Sequence, residues 1–398
     1  MSMKLIFKLI SAILISITLV GCWGAREPSQ ISIVTALGID KEDDKYLVTV
    51  QILNPGSIAL NKNSEGTPVT TYRMDGKTID EAVRKLSLEV PREIFLGHLR
   101  LLVFGEDLAR EGVGKTLDYL LRNTEIRSDF YITVVKGEEA TKALNILTPL
   151  ERIPANKIFF SLEVSERIWA ATATIKLFEF IESLEKEGAE PILTSIFVHG
   201  NNDIGMNMQN IEDVDVPTNI QIGPIAAFKG DKLVGWLNDP QSTLINILLG
   251  DSKGFLIILP WEDPNEFVNL SAEKLSRKVI VEEVMGKPKI KVNVKIKASI
   301  TEAMGIIPID KPTTVTKIEK KTEEYLKLRF SKSTSEIQTQ FQTDIFGFGE
   351  VIKNEKIDLW KKISKDWDKQ FPTVPVEYNV DVEVTGTGIT TKSLKPSH

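Results

Sequence analysis

The fold class predicted here is α+β: three mixed α/β domains with mainly antiparallel sheets and packed helices, behind an N-terminal signal segment. Three observations carry it. Strand and helix patterns alternate over residues 23–190, short strands and turns dominate 191–265, and 266–398 combines strictly alternating strands with long helical stretches. The 398 residues are 42% hydrophobic and 26% charged, enough apolar material for more than one core, since single domains mostly run to about 100–200 residues.

The first element is not part of the folded body. Lys4 and Lys8 precede LISAILISITLV at 9–20. A bilayer span needs about 20 apolar residues in a row; this run is shorter and ends in small residues, as an export signal does. No later stretch has the length and apolarity to cross a bilayer. The single cysteine, Cys22, follows Leu19, Val20 and Gly21. LVGC resembles a bacterial lipobox, in which the thiol receives a diacylglyceryl group and the signal is cut just before it. Residues 1–21 therefore read as a lipoprotein signal peptide and Cys22 as the lipidated first residue of the mature chain. Each buried methylene contributes roughly 0.8 kcal/mol, and two fatty chains hold stably where one holds marginally. A buried cysteine acting as a small hydrophobe fits poorly at the end of such a run. One cysteine also excludes an internal disulfide, so the fold rests on its cores.

Charge narrows the partners. The formal net charge is −6, and without residues 1–21 the chain carries 47 basic and 55 acidic side chains. Nucleic acid requires a basic footprint that this balance lacks, and an anionic membrane surface repels such a body unless a local basic patch offsets the charge.

The remaining elements follow in order. ISIVTALGID and YLVTVQIL read as strands around the charged turn KEDDK, and NPGSIALNKNSEGTP is loop-like. Thr78 is an N-cap with Glu81 completing a capping box; Ile79, Ala82, Val83, Leu86 and Val90 follow at helical spacing until Pro91. Residues 99–104 form a strand, 105–122 a helical run broken near Gly112, 130–135 a strand and 138–147 a helix. ERIWAATATIKLFEFIESLEKEG, 166–188, reads as one long amphipathic helix stopped by Gly188. PIAAF and KLVGWL flank KGD as a hairpin, 239–249 is helical and GFLIILP is a strand. KIKVNVKIKASI (289–300) and VPVEYNVDVEV (374–384) alternate strictly. Their outer faces oppose Lys289, Lys291, Lys295 and Lys297 to Glu377, Asp381 and Glu383, which places the two strands side by side. Between them Val315, Ile318, Tyr325 and Leu326 open a long helix that Ile337, Phe341 and Ile345 continue. Trp360, Ile363, Trp367 and Phe371 step down one face of another, a stripe read as core rather than as a groove-binding face.

No pattern of reactive groups is persuasive. GDSKG (250–254) fits G-x-S-x-G, but a nucleophile elbow needs a strand before it and a helix after, and the order here is reversed. GVGKT (112–116) lacks the first glycine of a phosphate loop, whose place falls at Ala109 inside a helical run. His98, His199 and His398 have no second ligand at metal spacing, and His98 reads as structural rather than as half of an acid–base dyad. Asp43 and Asp44 lie in a solvated turn. No catalytic, cofactor-binding or metal-binding residue is assigned, and the chain is not read as an enzyme.

Several motifs nevertheless carry a family likeness. LVGCWGARE, ALGID, LGHLRLLVFGEDLAREGV, LDYLLRNTEIRSDFYITVVKG, AAFKGDKLVGWL, QTDIFGFGE and WDKQFP, in this order, resemble the C-subunit lipoproteins of bacterial spore germinant receptors, the Ger(x)C family. The resemblance runs from Cys22 to the final strand. It implies a non-enzymatic three-domain protein, tethered through Cys22 to the outer face of the cytoplasmic membrane that becomes the inner membrane of the spore. Its expected partners are the membrane-embedded A and B subunits, in germination triggered by small nutrients. The competing expectation is a solute-binding lipoprotein that delivers a ligand to a transporter; such proteins usually have two similar lobes around a cleft, which the unlike halves here disfavour.

Overall fold

A computed structural model describes residues 27–59, 66–250 and 254–388, together with 3, 4, 6 and 7. The fold is α+β, built on two mixed sheets. The first has nine strands: β1 (Ile31–Glu42), β2 (Lys45–Leu53), β3 (Val69–Gly76), β4 (Glu93–Phe95), β5 (Leu101–Phe104), β6 (Tyr131–Val135), β7 (Ile192–His199), β8 (Asn219–Lys229) and β9 (Lys232–Trp236). Their order is β3-β2-β1-β5-β6-β7-β8-β9, with β4 beside the start of β1. The centre, β1-β5-β6-β7, is parallel, and antiparallel strands flank it on both sides.

That centre explains the composition of its strands. Every residue of β5 and β6 is buried, as a parallel sheet covered on both faces requires. One face packs under the helices Ile79–Lys85, Gly114–Arg122 and Leu177–Glu185 through Ile79, Leu117, Leu120 and Phe180. The other packs under Ala140–Leu144 and Pro154–Ile168 through Leu144, Ile158 and Leu162.

The second sheet has the order β10-β11-β12-β13, from β10 (Leu256–Pro260), β11 (Phe267–Val284), β12 (Lys287–Met304) and β13 (Val376–Gly386). β11 and β12 form one hairpin whose turn residues, Met285 and Gly286, both have positive φ, 52° and 74°, the backbone a two-residue hairpin favours. β12 and β13 run side by side, in parallel, as the charge pattern predicts. Lys289–Glu377 (2.7 Å), Lys297–Glu383 (2.8 Å) and Lys295–Asp381 (3.9 Å) pair across them, while Lys291 turns to Glu282 of β11 (2.9 Å). The inner face packs against the helix Pro312–Gln340 and against Phe348–Glu355 and Ile357–Ile363. Trp360, Ile363, Trp367 and Phe371 are all buried there, so the stripe is core. β7–β9 of the 191–265 segment extend the first sheet, and β10 joins the second.

Three expected helices are corrected. The long helix ends at Gln340, so that Phe341 and Ile345 lie beyond it, and Trp360, Ile363, Trp367 and Phe371 sit not on one helix but on Ile357–Ile363, Trp367–Gln370 and the 3-10 turn Phe371–Thr373. Residues 166–188 are not one helix: Pro154–Ile168 ends, 170–176 form no helix and touch the first sheet by a single bridge at Lys176, and Leu177–Glu185 begins anew. The break starts at Ala170, whose φ is +57°, with the Ser165 carbonyl accepting from both Trp169 and Ala170. Beyond it the β-branched Thr172, Thr174 and Ile175 favour extended backbone, and neighbouring strands and helices satisfy the peptide groups of the stretch. Ile132 N–H donates to the Ile175 carbonyl at 2.9 Å. Thr194 Oγ1 bridges Ala173 N–H and C=O, and Asn246 Nδ2 donates to the Ala170 and Thr172 carbonyls, both at 2.8 Å. Tertiary hydrogen bonds override the helical periodicity.

Candidate functional site

The residues singled out from the sequence separate in space. Cys22 lies outside the described residues, as do His398 and the serine of GDSKG. Around that serine the helix Asp239–Leu249 ends on Gly250 in the left-handed conformation (φ +89°) and β10 follows. That is the reverse of an elbow. His98 and His199 are exposed, and His98 meets Phe95 edge-on. In GVGKT, Asp231 takes the place an anion would need: its Oδ2 accepts from Gly114 N–H at 2.8 Å and its carbonyl from Val113 N–H at 3.0 Å. A phosphate there would meet a carboxylate. Among the described residues no cluster of His, Cys, Asp or Glu has the arrangement to hold a metal ion, and no helix is long and apolar enough to cross a membrane.

What the structure brings together instead are the quoted motifs. Asp40, from ALGID, is buried and accepts from Ala140 N–H (2.7 Å), Thr141 N–H (3.0 Å) and Thr141 Oγ1 (2.9 Å). Gly105 of the neighbouring VFGED stretch must be glycine, because a Cβ there would lie 2.0 Å from Asp40 Oδ1. Burial pushes the Asp40 carboxyl above the ordinary 3.8, with the three donors pulling it back.

The second buried acid joins the two sheets. Asp344, from QTDIFGFGE, is fully buried. It accepts from Phe348 N–H (3.2 Å), Gly349 N–H (2.8 Å) and the indole Nε1–H of Trp367 (3.0 Å), the first residue of WDKQFP. Loss of solvent pushes its carboxyl up to about 7 against the pull of these donors. Around it the halves are stitched: the Asp344 carbonyl accepts from Glu190 N–H and the Gly188 carbonyl from Glu350 N–H, each at 3.0 Å. Thr343 Oγ1 donates to the Phe228 carbonyl at 3.2 Å. Gly188 and Gly349 touch so closely that a Cβ on Gly188 (φ +79°) would lie 2.5 Å from the Gly349 carbonyl carbon. Periodicity had not pointed to either acid. The legible signal was an aspartate inside an apolar, glycine-rich run, ALGID and DIFGFGE.

These features define a two-sheet α+β scaffold whose buried acids hold backbone in place. Two family descriptions match it in sequence order: spore germination protein N-terminal domain over residues 24–198, and spore germination B3/GerAC-like C-terminal over 224–388. The chain is 29% identical over 387 residues to spore germination protein KC of Bacillus subtilis strain 168, covering 95% of each. To spore germination protein B3 of the same strain it is 24% identical over 387 residues, covering 94% of this chain and 95% of the relative. The crystal structure of the GerBC protein superposes with a TM-score of 0.56 at 19% identity, over 88% of this chain and 96% of that one, which shows a common fold. The chain belongs to the Ger(x)C family of spore germination proteins.

Proposed function

We propose that this chain is the C subunit of a nutrient germinant receptor. It is a non-enzymatic lipoprotein on the outer face of the cytoplasmic membrane, the inner membrane of the spore, acting with the membrane-embedded A and B subunits. The observation that carries this reading is the pair of family matches, which together span 24–388 in the order the family keeps. The sequence LVGC supports an anchor at Cys22, and the absence of a membrane-crossing helix among the described residues accords with tethering by lipid. The buried acids support a structural rather than a reactive role, since every donor around them is backbone, hydroxyl or indole.

Affinity capture of the tagged full-length chain from spore membranes tests the assembly: the A- and B-type subunits are expected with it, and recovery of neither overturns the reading. Cys22→Ala tests the anchor. The variant is expected to leave the detergent-extracted membrane fraction for the soluble one, and firm retention in the membrane fraction contradicts lipidation at this residue.

A further inference from the structure

The second sheet treats its two edges differently. At β13 the outward N–H groups of Val382 and Val384 donate to Glu323 Oε1 (3.1 Å) and Glu319 Oε1 (2.9 Å) of the Pro312–Gln340 helix, which closes that edge. Even β11, beyond the reach of β10, has Val281 N–H on Glu355 Oε2 (3.1 Å). β10 has no such cover. Its register with β11 pairs Ile257 with Leu270 and Leu259 with Val268, and the flanking bonds Ala272 N–H to Phe255 C=O and Trp261 N–H to Glu266 C=O share that parity. The peptide groups of Leu256 and Ile258 therefore point outward, and among the described residues nothing bonds them across that edge. Pro260 ends the free ladder by lacking an N–H.

A groove of about 230 Å³ follows this edge. Beside the strand it is lined by Trp169, by the start of the Asp239–Leu249 helix, and by Tyr325 and Arg329 of the long helix. The volume is below the roughly 300–1,000 Å³ of ordinary small-molecule pockets but runs along a strand. Part of its apolar lining is exposed, Trp169 at 48%, Leu256 at 40% and Ile258 at 45%, while Phe255, Ile257, Leu326 and Phe330 are buried. Natural sheets usually blunt such an edge with charge; this strand, LIILP, carries none. The charges stand at the walls instead: Arg329 and Asp239 border the groove, and neither forms an ion pair among the described residues.

We propose that β10 is a docking strand, extended by a short apolar segment of a partner protein. The segment carries an acidic residue to meet Arg329 and a basic one to meet Asp239. Main-chain bonds to Leu256 and Ile258 hold it, and alternate side chains fill the slot beside Trp169. This inference rests on the receptor reading above, which supplies a partner, and names where on this chain that partner binds.

The test uses the full-length chain in spore membranes with p-benzoylphenylalanine in place of Leu256. Irradiation is expected to give an adduct whose cross-linked peptide, mapped by mass spectrometry, is an apolar stretch of another polypeptide flanked by charged residues. Ile258→Pro removes one outward donor and leaves the β11 ladder intact; it is expected to lower the adduct at least tenfold. Ile258→Lys, which leaves the backbone unrestricted, should do the same, so a misfolded proline variant does not decide the matter. No adduct, an adduct to lipid or to a second copy of this chain, or an adduct that both variants leave unchanged would overturn the proposal. Capture of the other subunits without an adduct at position 256 leaves the receptor reading standing and sinks this inference alone. An adduct to some other protein, with no A- or B-type subunit captured, ends the receptor reading and supports the docking strand only if its mapped peptide is apolar with an acidic and a basic flank; any other peptide overturns both.

Discussion

Asp344 is wholly buried, yet each of its hydrogen bonds favours the ionised form it is poorly placed to adopt. The carboxyl is pushed up to about 7 by desolvation, whereas its ordinary value is 3.8. Between those values the folded state retains a proton that the unfolded chain has released. Stability therefore falls as the pH rises from about 4 to about 7 and levels off above that. Asp344→Asn is expected to remove this slope while costing about 1–3 kcal/mol, because an amide N–H turned toward Gly349 or Trp367 leaves a buried donor unpaired. Urea unfolding at pH 5 and pH 7.5 measures both effects, and an unchanged slope in the variant would assign the pH dependence elsewhere. The sequence marked this residue only through a family motif. Its reason was illegible there because the Trp367 donor lies 23 positions away in the chain.

At the scale of elements, the Pro312–Gln340 helix does two jobs: it covers the second sheet and closes the β13 edge with two glutamates. Replacing Glu319 and Glu323 together by alanine is expected to cost about 1–3 kcal/mol and to leave an open edge that self-associates; thermal melts with light scattering read out both. The lysine–acid rows between β12 and β13 are different. Lys297 and Glu383 are both more than half exposed, so Lys297→Ala should cost less than about 1 kcal/mol, and less still at high salt. Those rows were legible because strict alternation sets a strand's two faces. β11 escaped because register shifts between Asn269 and Leu270 and between Ala272 and Lys274 interrupt its period of two. β7, ILTSIFVH, has no strict alternation because Thr194 and Ser195 sit adjacent in its buried middle, so periodicity alone does not mark it as a strand. The Pro154–Ile168 helix was obscured by apolar residues on its exposed side, Phe160, Val164 and Ile168. The non-helical 170–176 stretch was missed because its partners, Thr194 and Asn246, come from later elements.

At the scale of the molecule, the two sheets share one apolar core, in which Ile192, Ile225 and Ala227 of the first pack with Leu270 and Val292 of the second, and a tight joint where Gly188 and Gly349 touch and Asp344 fixes the backbone adds to it. Gly188→Ala combines a positive φ with a clash against backbone, a cost of about 3 kcal/mol from strain and overpacking. Calorimetry is expected to show one transition in both proteins, shifted to lower temperature in the variant, because the shared core still couples the halves; two separate transitions in the variant would mean that the glycine joint carries the coupling. The α+β class and the paired strands of the second sheet were legible from alternation and charge, whereas the joint was not, because it depends on close approach between remote glycines. The position of β13 has a further consequence for how the chain is made. It is made well after β12, with the Pro312–Gln340 helix between them, yet it binds β12 in parallel, with Asn379 bonded to Asn293 across 86 positions. Until β13 has been made, β12 waits with a bare flank and the niche for Tyr378 stands vacant. Completion of this half is thus deferred by the whole intervening stretch, and a premature stop ahead of Val376 would strand a sticky intermediate rather than a shorter functional protein.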